Sequence, residues 1–146
     1  MFHRIVHAND GTTNAFTALR TAIDLAKLAR ATLDVIFVEE ISPRSGLIGE
    51  VAAHEADERR HIRQRRAAAE RMAERHQVKV ESHVFTGHPG QHIVQFTAET
   101  DADLLVIGAT EHADLWERIF GRRSDRMTHK VGCSVLIVRE GGRDAA

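Results

Sequence analysis

The sequence lacks the features that would indicate a secreted, membrane-bound or nucleic-acid-binding protein. A single cysteine, Cys133, excludes an intramolecular disulfide framework and a cysteine-only metal site, and it suits a reducing compartment. A formal net charge of −1 argues against a nucleic-acid partner, which requires a basic excess or a basic face. No apolar run approaches the roughly 20 residues of a membrane span, and the amino terminus lacks the apolar core of a signal peptide. We therefore expect no membrane partner and a cytoplasmic location.

The 146 residues are enough for one domain, which we assign to residues 1–140, followed by a polar tail over 141–146. Apolar strand patterns alternate strictly with helical patterns. The predicted strands are Phe2–Ala8, Leu33–Val38, Val78–Thr86, Leu104–Ile107 and Val135–Val138. The predicted helices are Thr13–Arg30, Glu50–His76, Pro89–Thr100 and Asp125–Val131. Such alternation predicts an α/β fold in which helices cover both faces of a parallel sheet.

Two loops that follow predicted strands carry glycine and polar residues. Asn9–Thr12 follows the first strand, and Gly108–Ser124 follows the fourth. In the second loop, Gly121 precedes two arginines and a serine at the start of the predicted last helix. Helix amino termini present unpaired N–H groups to anions, so this loop is a candidate phosphate cradle. If the first and fourth strands are neighbours, Asp10 lies across the same crevice.

Four motifs carry a resemblance to a known family. They are Asp10-Gly11-Thr12 after the first strand, Gly87-His88-Pro89 after the third, the glycine spacing of Gly108 and Gly121, and the final strand Cys133–Val138. Over nearly its whole length the chain resembles the universal stress protein (UspA-like) domain. The resemblance implies a three-layer α/β/α sandwich with a five-stranded parallel sheet in the order 3-2-1-4-5, of the adenine nucleotide alpha hydrolase-like type. It also implies a homodimer formed through the last strand.

In ATP-binding members of this family the loop after the fourth strand reads Gly-x2-Gly-x9-Gly-Ser/Thr. The resemblance therefore implies that ATP or AMP binds here, with Mg²⁺ as a less favoured companion. It places the nucleoside end at Asp10 and Val38 and the loop backbone at Gly108 and Gly121. The phosphates would be held by Arg122, Arg123 and Ser124.

Two positions depart from the family pattern. Glu111 replaces the second glycine, and Arg122 replaces the hydroxyl residue after the third. A glutamate repels a triphosphate, whereas an arginine attracts it. Two functions stay open: a nucleotide-binding sensor or signalling module in a stress response, and a dimeric interaction module with an unknown protein partner and no nucleotide. We expect no catalytic residues and at most a weak ATPase activity, because Asp10 is the one carboxylate that we can place at the crevice.

Other candidate sites have less support in the sequence. The pairs His54/His61 and His88/His92 lack a third ligand at standard spacing, so we predict no metal site. The arginine cluster Arg59–Arg66 is interleaved with acidic residues, which favours a solvated, salt-bridged helix face over a nucleic-acid stripe. Cys133 is better explained as a small buried apolar residue than as a reactive thiol.

Overall fold

The structure, a computed structural model, describes residues 1–11, 13–39, 48–109 and 131–139. It contains five strands and three helices over these residues. The strands are β1 (Arg4–Asn9), β2 (Thr32–Glu39), β3 (Val80–Thr86), β4 (Leu104–Ala109) and β5 (Ser134–Arg139). The helices are α1 (Thr13–Ala29), α2 (Ile48–Arg75) and α3 (Pro89–Glu99). Most of the predicted helix Asp125–Val131 lies outside the described residues. No helix that the structure describes is long and apolar enough to cross a membrane.

The five strands form one parallel sheet in the order β3-β2-β1-β4-β5, as the family resemblance predicts. β1 lies at the centre, where Ala8 pairs with Ile36 of β2 on one side and with Ile107 of β4 on the other. Because the chain first winds from β1 towards β3 and then returns to β4, the winding direction reverses between β1 and β4.

Two apolar cores separate the sheet from the helices on its two faces. Val35 and Phe37 of β2 pack on one face with residues of α1 and α2, whereas Ile36 packs on the other face with Ile93 of α3. Successive strand side chains point to opposite faces, so central strands with both faces covered must be apolar throughout. This placement explains the unbroken apolar runs in the sequence and confirms the three-layer arrangement.

Helix α2 is long, but few of its described side chains reach the core. Its buried residues are Ile62, Ala69 and Ala73. Its exposed face carries ion pairs at helical spacing, which are Arg59–Glu55, Arg60–Asp57 and Arg66–Glu70. Ion pairing along this face confirms the salt-bridged surface expected from the sequence for most of the arginine cluster.

The turn after α2 delays the start of the third strand by two residues relative to the prediction. Gln77 takes a positive φ of 58°, and the Val78 N–H donates to the Ala73 carbonyl, which closes the helix end. The strand pattern read from the sequence includes Val78, but its N–H bonds to the helix, so β3 begins at Val80.

The start of the chain is fastened to the beginning of β4 by Asp103. Its carboxylate accepts hydrogen bonds from the backbone N–H groups of His3, at 2.6 Å, and of Arg4, at 3.0 Å. Burial opposes ionisation of this group, but these backbone donors prevail and lower the pKa of Asp103 below its usual value of 3.8. An ionised Asp103 therefore holds β1 in register at the edge of the sheet where the strands begin.

Candidate functional site

The candidate site lies at the carboxyl ends of β1 and β4, where the winding direction reverses. Asp10 follows β1 directly and is half-buried, and Gly108 is buried near the end of β4. Val38 lies near the end of β2, next to Phe37, which pairs with Asn9. The structure thus brings three of the predicted site residues to one edge of the sheet. Glu111, Gly121, Arg122, Arg123 and Ser124 lie outside the described residues.

A chain of hydrogen bonds from the core fixes the loop that carries Asp10. His7 is fully buried, and its Nδ1 lies 3.0 Å from the Val106 carbonyl oxygen. A carbonyl can only accept, so Nδ1 carries the proton and Nε2 accepts from the Asn9 amide at 3.2 Å. The Asn9 side-chain oxygen in turn accepts from the Gly11 N–H at 2.8 Å. Asn9 and Gly11 flank Asp10, so this chain sets the position of its backbone.

The buried imidazole of His7 is neutral at ordinary pH. Burial disfavours the imidazolium and lowers the pKa of His7 from 6.5 to about 4, although the hydrogen bond to Val106 and the charge of Asp10 act in the opposite direction. A neutral ring with one donor and one acceptor nitrogen is what the chain from Val106 to Asn9 requires. His7 is therefore a positioning residue that motif reading did not single out.

Gly108 is required by packing, independently of any ligand. A Cβ at this position would lie 2.7 Å from the backbone oxygen of Asn14 in the first turn of α1. The contact brings β4 against the amino-terminal end of α1, where the Asn14 amide donates a 2.6 Å hydrogen bond to the Ala109 carbonyl. The glycine that the resemblance assigns to the nucleotide loop thus also permits a close contact between a strand and a helix.

Among the residues that the structure describes, Asn14 has an unsatisfied polar atom at this edge of the sheet. Its Nδ2 donates to the Ala109 carbonyl, and its buried Oδ1 has no hydrogen-bond partner within the described ranges. Buried acceptors are normally paired, and leaving one unpaired costs about 1–3 kcal/mol. A hydroxyl or amino group of a ligand could satisfy this atom. No sequence motif distinguishes Asn14 from other polar residues of α1.

Helix α2 contributes a cation to the same region. Gly11 has a positive φ of 82°, and the Arg65 guanidinium occupies the space that a Cβ of Gly11 would need. Arg65 is half-buried and forms no salt bridge with any residue that the structure describes, unlike its neighbour Arg66. A cavity of about 390 Å³ adjoins it, lined also by Phe16, His61 and Gln64. The sequence assigned Arg65 to the salt-bridged face, but tertiary packing places it beside the Asp10 loop.

Neither of the two histidine pairs weighed in the sequence forms a ligand cluster with a third residue that the structure describes. His54 and His61 are exposed on α2. His92 has its Nε2 2.9 Å from the Thr86 carbonyl and stacks on Phe85, whereas His88 is the N-cap of α3. Within the described ranges, the metal-ligating types do converge elsewhere, at Asp34, Glu81 and His83.

Cys133 packs beside the core on the α3 face and is half-buried. Burial, together with the negative charge of Asp103, raises the pKa of its thiol above 9.0. Little thiolate is present at neutral pH, which agrees with a packing role.

A parallel sheet covered by helices on both faces, with a reversal of winding direction between two neighbouring strands, defines the doubly wound α/β class. Proteins of this class bind their ligands at the point of reversal, where polar groups lie in this chain. Within this class the chain belongs to the universal stress protein family, because the model of that family matches residues 1–139.

Curated relatives of this family match over nearly the whole chain. Universal stress protein YxiE of Bacillus subtilis is 31% identical over 149 residues, covering 95% of this chain and 100% of the relative. Universal stress protein MJ0531 of Methanocaldococcus jannaschii is 29% identical over 142 residues, covering 96% of this chain and 84% of the relative.

Solved structures share the fold at lower identity. Universal stress protein UspA from Lactobacillus plantarum superposes with a TM-score of 0.76 at 18% identity, covering 94% of this chain and 98% of that one. A universal stress protein in complex with cAMP superposes with a TM-score of 0.66 at 21% identity, covering 94% of this chain and 97% of that one. A family member from Arabidopsis thaliana with AMP bound superposes with a TM-score of 0.65 at 12% identity, covering 99% of this chain and 95% of that one.

Proposed function

We propose that this protein binds an adenine nucleotide in the crevice between β1 and β4 and acts in the cytoplasm as a sensor or signalling module of a stress response. The observation that carries the proposal is the convergence of Asp10 and Gly108 at the reversal point of the sheet. Family members of the same fold have been solved with cAMP and with AMP, which supports an adenine nucleotide as the ligand.

The described residues suit such a ligand in two respects. Asn14 Oδ1 is a buried acceptor to which no described residue donates, and a nucleoside offers hydroxyl and amino donors. Arg65 is a cation at the Asp10 loop, and phosphate groups bind guanidinium through charge-assisted hydrogen bonds. In this proposal Asp10 and Val38 contact the nucleoside, and the backbone at Gly108 and Gly121 approaches the phosphates. Arg122, Arg123 and Ser124 bind the phosphate oxygens.

A binding role is favoured over a catalytic one. Asp10 is the carboxylate that β1 supplies to the crevice, and one carboxylate is little for a magnesium site that must also position a triphosphate. His7 of β1 is buried and already hydrogen-bonded on both ring nitrogens, so it is not placed to act as a general base. We propose at most a weak ATPase activity.

The second candidate is a dimeric interaction module without a nucleotide, and the observation that favours it is Glu111 in place of a loop glycine. Both candidates share a homodimer through β5. This strand pairs with β4 on one side and with no described strand on the other, which favours pairing of its backbone with a second copy. Sedimentation at micromolar concentration tests the dimer, and a monomer there contradicts it.

Calorimetric titration with ATP and AMP tests the leading proposal. We expect saturable binding that weakens by about tenfold or more in Asp10→Asn and Ser124→Ala, because each removes a hydrogen bond to the ligand. The control is Gln95→Ala, on the exposed face of α3, which should bind as the wild type does. The nucleotide content of freshly purified, denatured protein gives an independent readout. Absence of saturable binding and of released nucleotide overturns the proposal and favours the interaction module.

A further inference from the structure

Three residues of metal-ligating type meet on one face of the sheet, away from the nucleotide crevice. Asp34 lies in β2, and Glu81 and His83 lie in β3, with Asp34 paired to Glu81 and Ile36 paired to His83. Residues two apart in a strand share a face, so all three side chains project on the α3 face, where Ile36 packs. Asp34 and Glu81 are near the starts of their strands, whereas Asp10 follows the end of β1. The cluster is therefore a separate site from the crevice.

The spacing of the three groups is close to that of ligands around one ion. His83 Nε2 lies 2.9 Å from Asp34 Oδ1, and one ligand atom from each of the three residues lies within 4.8 Å of the other two. Two ligands that are each about 2.0–2.2 Å from an ion, at angles between octahedral and tetrahedral, stand about 3.0–3.5 Å apart. The Asp34–His83 pair is already near this separation, and Glu81 is on an exposed side chain that can close the remaining gap.

The charges around Asp34 leave room for a divalent cation. Asp34 is nearly fully buried, and its Oδ2 accepts from Arg4 Nε at 3.1 Å. Arg4 offsets one negative charge, but Glu81 adds a second and forms no ion pair with any residue in the described ranges. The candidate ligand atoms are the Glu81 carboxylate, Asp34 Oδ1 and His83 Nε2, and an ion would replace the 2.9 Å contact between the last two. Two carboxylates and one neutral imidazole give the ligand set a net charge of −2, which matches a divalent cation. The positive charge of Arg4 partly offsets that of the carboxylates.

Packing restrains the histidine in the required orientation. The His83 ring lies 4.7 Å from the ring of Phe96 and 6.3 Å from that of Phe85, measured between centroids, and it is stacked on Phe85. Aromatic neighbours limit the rotation of the imidazole, so Nε2 keeps facing Asp34. A ligand held in position by its neighbours loses little conformational freedom when a metal binds.

We propose that Asp34, Glu81 and His83 form a binding site for a first-row divalent transition metal ion, with Zn²⁺ as the representative. A mixed oxygen and nitrogen donor set suits these ions, whereas Mg²⁺ and Ca²⁺ prefer oxygen ligands throughout. A cavity of about 560 Å³ that opens to solvent is lined by Asp34 and Glu81 but not by His83, so solvent reaches the two carboxylates from this side. The competing explanation is a salt bridge alone, in which a protonated His83 pairs with Asp34.

Zn²⁺ titration by calorimetry on tag-free, chelator-treated protein without nucleotide tests the site. We expect one ion per chain, and affinity reduced by about tenfold or more in Glu81→Gln and in His83→Gln, since each removes a ligand. His92→Gln is the matched control, because His92 is on the same face but outside the cluster, and it should bind as the wild type does. Asp34 is not replaced, because its removal would take away the partner of the Arg4 guanidinium.

Two further readouts separate a metal site from a salt bridge. Co²⁺ should give visible absorption bands that are weaker or absent in His83→Gln, and at the same concentration Zn²⁺ should raise the melting temperature of the wild type more than that of either variant. No saturable binding of Zn²⁺, Co²⁺ or Mn²⁺ overturns the proposal. So does binding that both variants retain, because it would belong to other histidines. These outcomes do not depend on whether the crevice binds a nucleotide.

Discussion

The guanidinium of Arg65 occupies the space beside Gly11 that a side chain at that position would fill. This contact joins α2 to the loop after β1, and it gives the candidate crevice a cation from an element remote in the sequence. Two features require glycine at position 11: the Arg65 guanidinium leaves no space for a side chain, and the backbone φ of 82° is one that glycine adopts readily.

Replacement of Arg65 tests whether this cation serves the ligand. In Arg65→Ala we expect affinity for AMP and ATP to fall by about tenfold or more, because charge-assisted hydrogen bonds are worth about 1.5–3 kcal/mol. Affinity for adenosine, which lacks phosphate, should not change. Arg66→Ala is the control, since Arg66 pairs with Glu70 on the exposed face. Equal nucleotide affinity in both variants would show that Arg65 has only a structural role.

Replacement of Gly108 separates packing from ligand binding. Gly108→Ala places a Cβ against the backbone of Asn14, so we expect the free energy of unfolding to fall by about 1–3 kcal/mol in urea titrations without ligand. Gly132→Ala provides the comparison, because a Cβ at Gly132 meets no atom of the described residues within 4 Å. If Gly108→Ala were as stable as the wild type, the close contact with α1 would be wrong.

The stability of the protein should depend on pH through His7. Its folded-state pKa of about 4 is below the ordinary value of 6.5, so as pH falls below 6.5 the unfolded chain takes up the proton first. The contribution of neutral His7 is therefore complete above pH 6.5 and is lost as pH falls to about 4, for a total of about 3 kcal/mol. His7→Gln, which cannot titrate, should show a shallower loss of unfolding free energy between pH 7 and 4. Parallel curves for the two proteins would exclude this account.

Asp103 should also make stability depend on pH, but through its ionised form and only at acidic pH. Its folded-state pKa is lowered, so its stabilising effect is present above pH 3.8 and is lost as pH falls through the lower folded-state value. At pH 7 we expect Asp103→Asn to lower the unfolding free energy by about 1 kcal/mol, since solvent weakens these charged hydrogen bonds and asparagine still accepts one of them. Asp101→Asn is the control, because Asp101 is exposed and asparagine tolerates its positive φ of 52°. Equal losses in the two variants would contradict the role of the Asp103 carboxylate.

The order of helices and strands could be read from the sequence, since β1, β2 and β4 are buried on both faces and must be apolar throughout. The strand order came from the family resemblance, and it places Asp10 and Gly108 at one edge. Arg65 and Asn14 were not predicted, because their roles depend on contacts with residues distant in the chain. The same holds for the Asp34 cluster. Its residues are aligned by the register between β2 and β3, whereas the histidine pairs were sought at helical spacing.

The described side chains of helix α2 are buried only from Ile62 onward, and most of the described side chains before that residue are exposed. A free helical segment of that length is marginal in water, so the first turns depend on continuity with the turns that pack on the sheet. Their amide hydrogens should exchange with solvent well before those between Ile62 and Ala73. Arg65 is on the protected side of this boundary, so opening of the first turns need not displace the Arg65 guanidinium from Gly11.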